Sequence, residues 1–149
     1  EWQRVFGLNF FCTTNLVEAS RVALRETKGV AVCISSICGT EVVPGAPVTY
    51  TVAKAALNAY IKAISRPLGD EGVRVIGVAP GNILFEESGW DKRFRSDPQG
   101  TSTMLEREVS LTRFGTAEEV GDMVVWCASE KAAFATGTIW VLDGGQVRS

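Results

Sequence analysis

The chain has 149 residues, 46% of them hydrophobic and 21% charged, which is enough for one globular domain with its own core. A formal net charge of −2 gives no electrostatic reason to expect nucleic acid or an anionic membrane as a partner, and no apolar run reaches the length of a membrane span. There is no histidine, and none of the four cysteines forms a C-x-x-C pair, which argues against Cys/His zinc sites and excludes mechanisms built on an imidazole base.

No metal site is therefore expected. Cys33 and Cys127 lie in apolar runs and read as buried, reduced thiols, which points to a cytoplasmic setting. The chain opens on Glu1-Trp2-Gln3-Arg4, with no secretory signal and no initiator Met, so a truncated or processed polypeptide is expected.

Residues 2 to 26 carry helical periodicity. Val5, Leu8, Cys12, Leu16, Ala19, Val22 and Ala23 recur at steps of three and four, and Gly29 supplies a stop. Asn9 sits inside this helix as an exposed polar residue or one bonded to its own backbone. Val30 to Ile34 is a continuous apolar run, the pattern of a strand covered on both faces in a parallel sheet. Ser35, Ser36 and Gly39 mark its carboxyl end, where ligands bind in open α/β sheets.

A loop with Pro44, Gly45 and Pro47 leads to a second helix, Val48 to about Leu68, with Pro67 expected to kink or end it. Its small alanine face packs on the sheet or against a second subunit. Val73 to Ala79 reads as a second strand, stopped by Pro80-Gly81. Residues 82 to 112 show no clear periodicity, and a stretch of this length reads as a mobile or functional loop region. Within it, Trp90 and Phe94 form either a lid over substrate or an apolar anchor. Thr116-Ala117-Glu118-Glu119 fits a capping box opening a helix to about Ala128, with Val120, Met123, Val124 and Cys127 on its apolar face. Thr138 to Leu142 is a third strand, closed by Asp143-Gly144-Gly145.

Alternation of this kind predicts an α/β fold with a parallel sheet and covering helices. Within it, Tyr50 and Lys54 are four residues apart and share one helix face. An ammonium beside a phenol favours the phenolate and lowers its pKa, which makes the group usable in general acid–base work near neutrality. A serine hydroxyl from the preceding strand end can hold the oxygen that gains or loses the proton.

The order of strand, Ser-Ser-x-x-Gly, loop and Tyr-x-x-x-Lys resembles the active-site segment of the short-chain dehydrogenase/reductase family. The resemblance covers nearly the whole chain. Trp2 through Asn9 looks like the segment before the active-site strand, and Pro80-Gly81-Asn82-Ile83 like the Pro-Gly-x-Ile that meets the nicotinamide. Leu111 to Gly115 with Glu118-Glu119-Val120, and Gly137 with Leu142 to Gly145, resemble the signatures around the last helix and strand.

The resemblance implies a Rossmann-like doubly wound parallel sheet, of which residues 1–149 supply a single partial domain, the second, catalytic half with about three strands. It implies NAD or NADP as cofactor and a small alcohol or ketone as substrate. Tyr50 would be the general acid or base and Lys54 would lower its pKa and bind the nicotinamide ribose. Ser36, preferred over Ser35 by its place relative to Gly39, would orient the substrate oxygen. Asn9 would hold a relay water, and Pro80, Gly81 and Ile83 would contact the nicotinamide.

Three features depart from the family pattern. No Gly-rich phosphate loop is present, so the cofactor-binding half is missing and the first strand should have an unpaired edge. Phe85 stands where the family often has threonine. The spacing from Ser36 to Tyr50 is slightly long. Two readings follow: an NAD(P)-dependent oxidoreductase, expected as a homo-oligomer (dimer or tetramer) with residues 82–112 as its substrate region, or an inactive half-domain that mainly self-associates.

Overall fold

The chain begins with a helix that changes pitch. In the computed structural model, which describes residues 1–147, α1 (Trp2–Phe6) passes into a π-helical turn (Gly7–Phe11) and then into α2 (Cys12–Thr27). The change in pitch moves the apolar stripe expected from the sequence. Val5 and Val17 are buried, and Phe10 and Leu24 pack on the core. Leu8, Leu16 and Val22 are exposed.

Three parallel strands form the main sheet. β1 (Val30–Ile34) pairs with β2 (Arg74–Pro80), with Cys33 opposite Gly77. Between them runs α3 (Val48–Asp70). Pro67 does not end this helix, which continues to Asp70. Proline removes one backbone donor. Leu68, fully buried against the core, holds the last turn in place.

The stretch expected to be irregular contains two capped helices. After the short β3 (Ile83–Leu84), Ser88 caps α4 (Gly89–Ser96), and Asp97 with Pro98 at the first helical position caps α5 (Pro98–Glu108). Their apolar faces build a small second core of Met104, Leu105 and Val109, with Trp90 and Phe114 packed on it. The chain then forms β4 (Gly115–Thr116), which pairs in parallel with β3, and α6 (Ala117–Ala128), which opens on the expected capping box. β5 (Ile139–Leu142) closes the main sheet on the far side of β2, giving the order β1-β2-β5.

The sheet is covered on both faces. Val75, Cys33 and Leu57 belong to the core under α2 and α3, whereas Ile76, Val78 and Cys127 belong to the core under α6. Central β2 is buried throughout Val75, Ile76, Val78 and Ala79, the continuous apolar pattern of an internal parallel strand. β1 departs from the expectation of full cover. It lies at the sheet edge, most of its residues are half-buried, and Ile34 is exposed. This is an α/β fold of the Rossmann-like kind with three strands in its sheet.

Candidate active site

Everything polar converges at the carboxyl ends of β1 and β2. The two serines that follow β1 have different surroundings. Ser35 turns inward and donates from Oγ to Asn58 Oδ1 at 2.5 Å. Ser36 faces the cleft, and its Oγ accepts from the Cys38 N–H at 3.2 Å, capping a single turn over Ile37–Gly39. Gly39 lies against α3, where a Cβ would come within 2.7 Å of the Lys54 carbonyl. The glycine in Ser-x-x-Gly is thus a close-approach residue, and it brings Ser36 to the helix that carries Tyr50.

Tyr50 lies in the first turn of α3 and is half-buried. Burial pushes its phenol above the ordinary value, and a hydrogen bond with the Ser36 side chain pulls the other way without cancelling it. One turn on, buried Lys54 donates from Nζ to the Ile34 carbonyl at 2.9 Å, with Nζ 5.7 Å from the Tyr50 ring centroid. Burial lowers the Lys54 pKa, and the nearby Cys12 and Cys33 partly offset this. The ammonium therefore lies over the ring and not on the hydroxyl. The expected depression of the Tyr50 pKa is not the net effect, because desolvation dominates.

Ser36, Tyr50 and Gly81 line one open cleft of about 760 Å³, a volume suited to a small-molecule ligand. Its far wall comes from α4 and α5, through Trp90, Arg93, Met104 and Arg107. Trp90 and Phe94 both pack on Phe114, with ring centroids 5.4 and 6.4 Å away, so they are anchored, and Trp90 also lines the cleft. Asn9 is not in this cleft. Its Nδ2 donates to the Val5 carbonyl at 3.0 Å within the π turn, and it shares with Lys54 a second groove between α2 and β1. Lys54 reaches into that groove from the Tyr50 side.

Pro80 ends β2 opposite Leu142, and the Gly81 N–H donates to the Leu142 carbonyl at 2.9 Å. A Cβ on Gly81 would sit 2.7 Å from Asp143 Cβ, so only glycine fits this crossing. Ile83 lines a smaller neighbouring pocket. The Gly115 N–H bonds to the Asn82 carbonyl, which turns the Ile83 N–H away from β4. Phe85 is exposed.

Sequence reasoning missed Asn58, Arg93, Arg107 and Gln146. Gln146 lines the cleft, and its Oε1 is buried with no hydrogen-bond partner among the described residues. Arg93 was findable once Ser88 was recognised as a cap, because it then falls three residues after Trp90 on one helix face. Among the described residues no group of three or more His, Cys, Asp and Glu side chains could hold a metal ion, and no helix is long and apolar enough to cross a membrane.

A parallel sheet with helices on both faces and a cleft at its carboxyl ends defines a Rossmann-like α/β protein. The family model described as enoyl-(acyl carrier protein) reductase matches residues 1–146. Isoepoxydon dehydrogenase from Aspergillus clavatus is 30% identical over 145 residues, covering 97% of this chain and 56% of the relative. Among solved structures, an NAD-bound 3-oxoacyl-[acyl-carrier protein] reductase from Brucella melitensis is 27% identical with a TM-score of 0.86, covering 100% of this chain and 53% of that one. An NADPH-bound short chain oxidoreductase from Pseudomonas aeruginosa is 25% identical with a TM-score of 0.88, covering 99% and 58%. The chain belongs to the short-chain dehydrogenase/reductase family. It spans about half the length of the relatives it matches.

Proposed function

We propose that the full-length protein is an NAD- or NADP-dependent oxidoreductase that interconverts an alcohol and a ketone, and that residues 1–149 are its catalytic part. The single observation that carries this reading is that Ser36 and Tyr50 line one cleft at the strand ends, with Lys54 one helical turn on from Tyr50. The residues present fit the nicotinamide–ribose end of a dinucleotide. Lys54 Nζ uses one of its three donors on Ile34. The Ile83 N–H is free of the β3–β4 ladder, and the orphaned Gln146 Oε1 lies beside Gly81. Among the described residues nothing resembles a Gly-rich phosphate loop.

When bound, the nicotinamide would supply or accept the hydride. The protein's share is proton handling and orientation. In reduction, Tyr50 gives its phenolic proton to the carbonyl oxygen, and in oxidation it takes the proton back. Burial favours the protonated phenol, the form that reduction requires. The Ser36 hydroxyl holds the substrate oxygen, and Lys54 binds the ribose and is positioned to stabilise the phenolate. Asn9, sharing the Lys54 groove, holds a water that returns a proton to this pair. Pro80, Gly81 and Ile83 would contact the nicotinamide. Residues 82–112 form the substrate region, a role supported by the cleft wall built from α4 and α5. Exposed Trp2 and Phe11 on the first helix favour a homo-oligomer, a dimer or tetramer, and the cysteine pattern favours the cytoplasm.

A second reading concerns these 149 residues alone. β1 has a bare edge among the described residues, and exposed Leu8 and Leu16 share the groove beside it, features that favour self-association without turnover. The test is an assay of the full-length protein with NADH and NADPH against a panel of ketones, repeated with Tyr50→Phe. Turnover in the parent is expected to fall by about 100- to 10,000-fold in the variant. Full turnover in the variant overturns the assignment of Tyr50.

A further inference from the structure

The cleft wall opposite Ser36 and Tyr50 carries more positive charge than its surroundings neutralise. Arg107 is paired with Glu108 at 2.5 Å. The carboxylates beside Arg93 are engaged elsewhere: Asp91 binds Arg95 at 2.9 Å, Glu87 meets Lys92 at 3.7 Å, and Asp97 caps α5. Among the described residues Arg93 has no ion-pair partner. Its guanidinium lies over the Trp90 ring, 5.3 Å from the centroid, which restrains it at the cleft edge and leaves its donor fork open. The ionisable groups of that wall therefore sum to about one positive charge, in a chain whose net charge is −2.

We propose that the substrate carries a carboxylate, bound by Arg93, with its carbonyl or alcohol carbon directed at Ser36 and Tyr50. The proposal rests on the reading of this cleft as the oxidoreductase site. A planar, always-charged guanidinium matches a carboxylate in bidentate fashion. Trp90 and Met104 supply an apolar surface for the carbon chain between the two ends. The selectivity is for oxo acids and hydroxy acids over neutral ketones and alcohols.

The test is binding to the full-length protein saturated with NADH or NADPH, by calorimetry and by the indole NMR resonance of Trp90. The probes are pentanoate and its uncharged isostere pentanamide, neither of which can be turned over. Pentanoate is expected to bind at least tenfold more tightly and to shift the Trp90 resonance. The preference is expected to vanish in Arg93→Gln and to persist in Arg95→Gln, which removes a charge from the same helix away from the cleft. Equal binding of the two probes, or a preference that survives in Arg93→Gln, overturns the proposal. The readout needs no turnover. Carboxylate binding through Arg93 without any ketone reduction would sink the oxidoreductase reading, and neutral-ketone reduction without carboxylate preference would sink only this one.

Discussion

Gly39→Ala would press a methyl group into the backbone of α3. The new methyl carbon would lie 2.7 Å from both the carbonyl carbon and oxygen of Lys54 and 2.8 Å from Asn58 Nδ2. Two of these atoms are backbone of a buried helix and cannot rotate away. Restoring an ordinary 3.4 Å contact requires the turn to retreat from α3 by about 0.7 Å. Overpacking of this kind costs about 1–3 kcal/mol, or roughly 2–4 °C of Tm for each kcal/mol in a chain of about 150–250 residues. Ser36 begins the displaced turn, so it is carried away from Tyr50. A misplacement of about 1 Å can reduce turnover about 100-fold, and a loss of about 10- to 100-fold in kcat/KM is expected here. Differential scanning calorimetry and steady-state kinetics on the full-length protein measure the two effects. Gly121→Ala is the control, because a Cβ there meets nothing within 4 Å on exposed α6. It is expected to raise stability by about 1 kcal/mol. A Gly39→Ala protein with unchanged Tm and kcat/KM within about twofold of the parent would refute the close-approach argument.

Asn58→Ala leaves the buried Ser35 hydroxyl without its acceptor and is expected to cost about 1–3 kcal/mol. Adding Ser35→Ala should recover part of that loss in a double-mutant cycle followed by denaturant unfolding, and strict additivity would refute the coupling. At the start of α6, Glu119 is held by Arg113 and by the Thr116 N–H, which bring its carboxyl down to about 2. A depressed carboxylate contributes stability above its unfolded value of about 4.5 that is lost as pH falls through about 2. The Tm advantage of the parent over Glu119→Gln should therefore shrink steadily between those limits, and a constant gap would contradict the pairing.

The strands and the long central helix were legible because their signals are local and redundant. Val73 to Ala79 is apolar apart from Arg74 and proved to hold the buried central strand, and Thr116 with Glu119 proved to be a complete capping box. The candidate site residues were legible as positions in a pattern, and the structure brings three of them, Ser36, Tyr50 and Gly81, to one cleft. What could not be read was orientation. Leu8 and Leu16 fit a helical stripe, but the inserted π turn and the bare β1 edge leave them exposed. Pro67 looked terminal because propensity outweighs a single contact in the sequence, whereas burial of Leu68 outweighs it in the fold. Helices α4 and α5 escaped notice because their caps, Ser88 and Asp97, stand among charged residues that mask a short apolar face. The direction of the Tyr50 shift was also out of reach, since burial is a property of the packed cleft.

The π turn at Gly7–Phe11 has a consequence for insertions and deletions. A π turn amounts to one residue more than the surrounding α-helix needs. Removing a single residue between Gly7 and Phe11 would heal the helix and leave the turns on either side nearly in phase, whereas removing one from the regular helix α2 would rotate everything upstream by about 100° about its axis. Val5 would keep its place in the core after the first deletion and swing out of it after the second. The rest of the chain, downstream of either deletion, would keep its register. The surplus residue therefore marks the one place in this long helix where the chain can be shortened by a residue without turning Val5 away from the core.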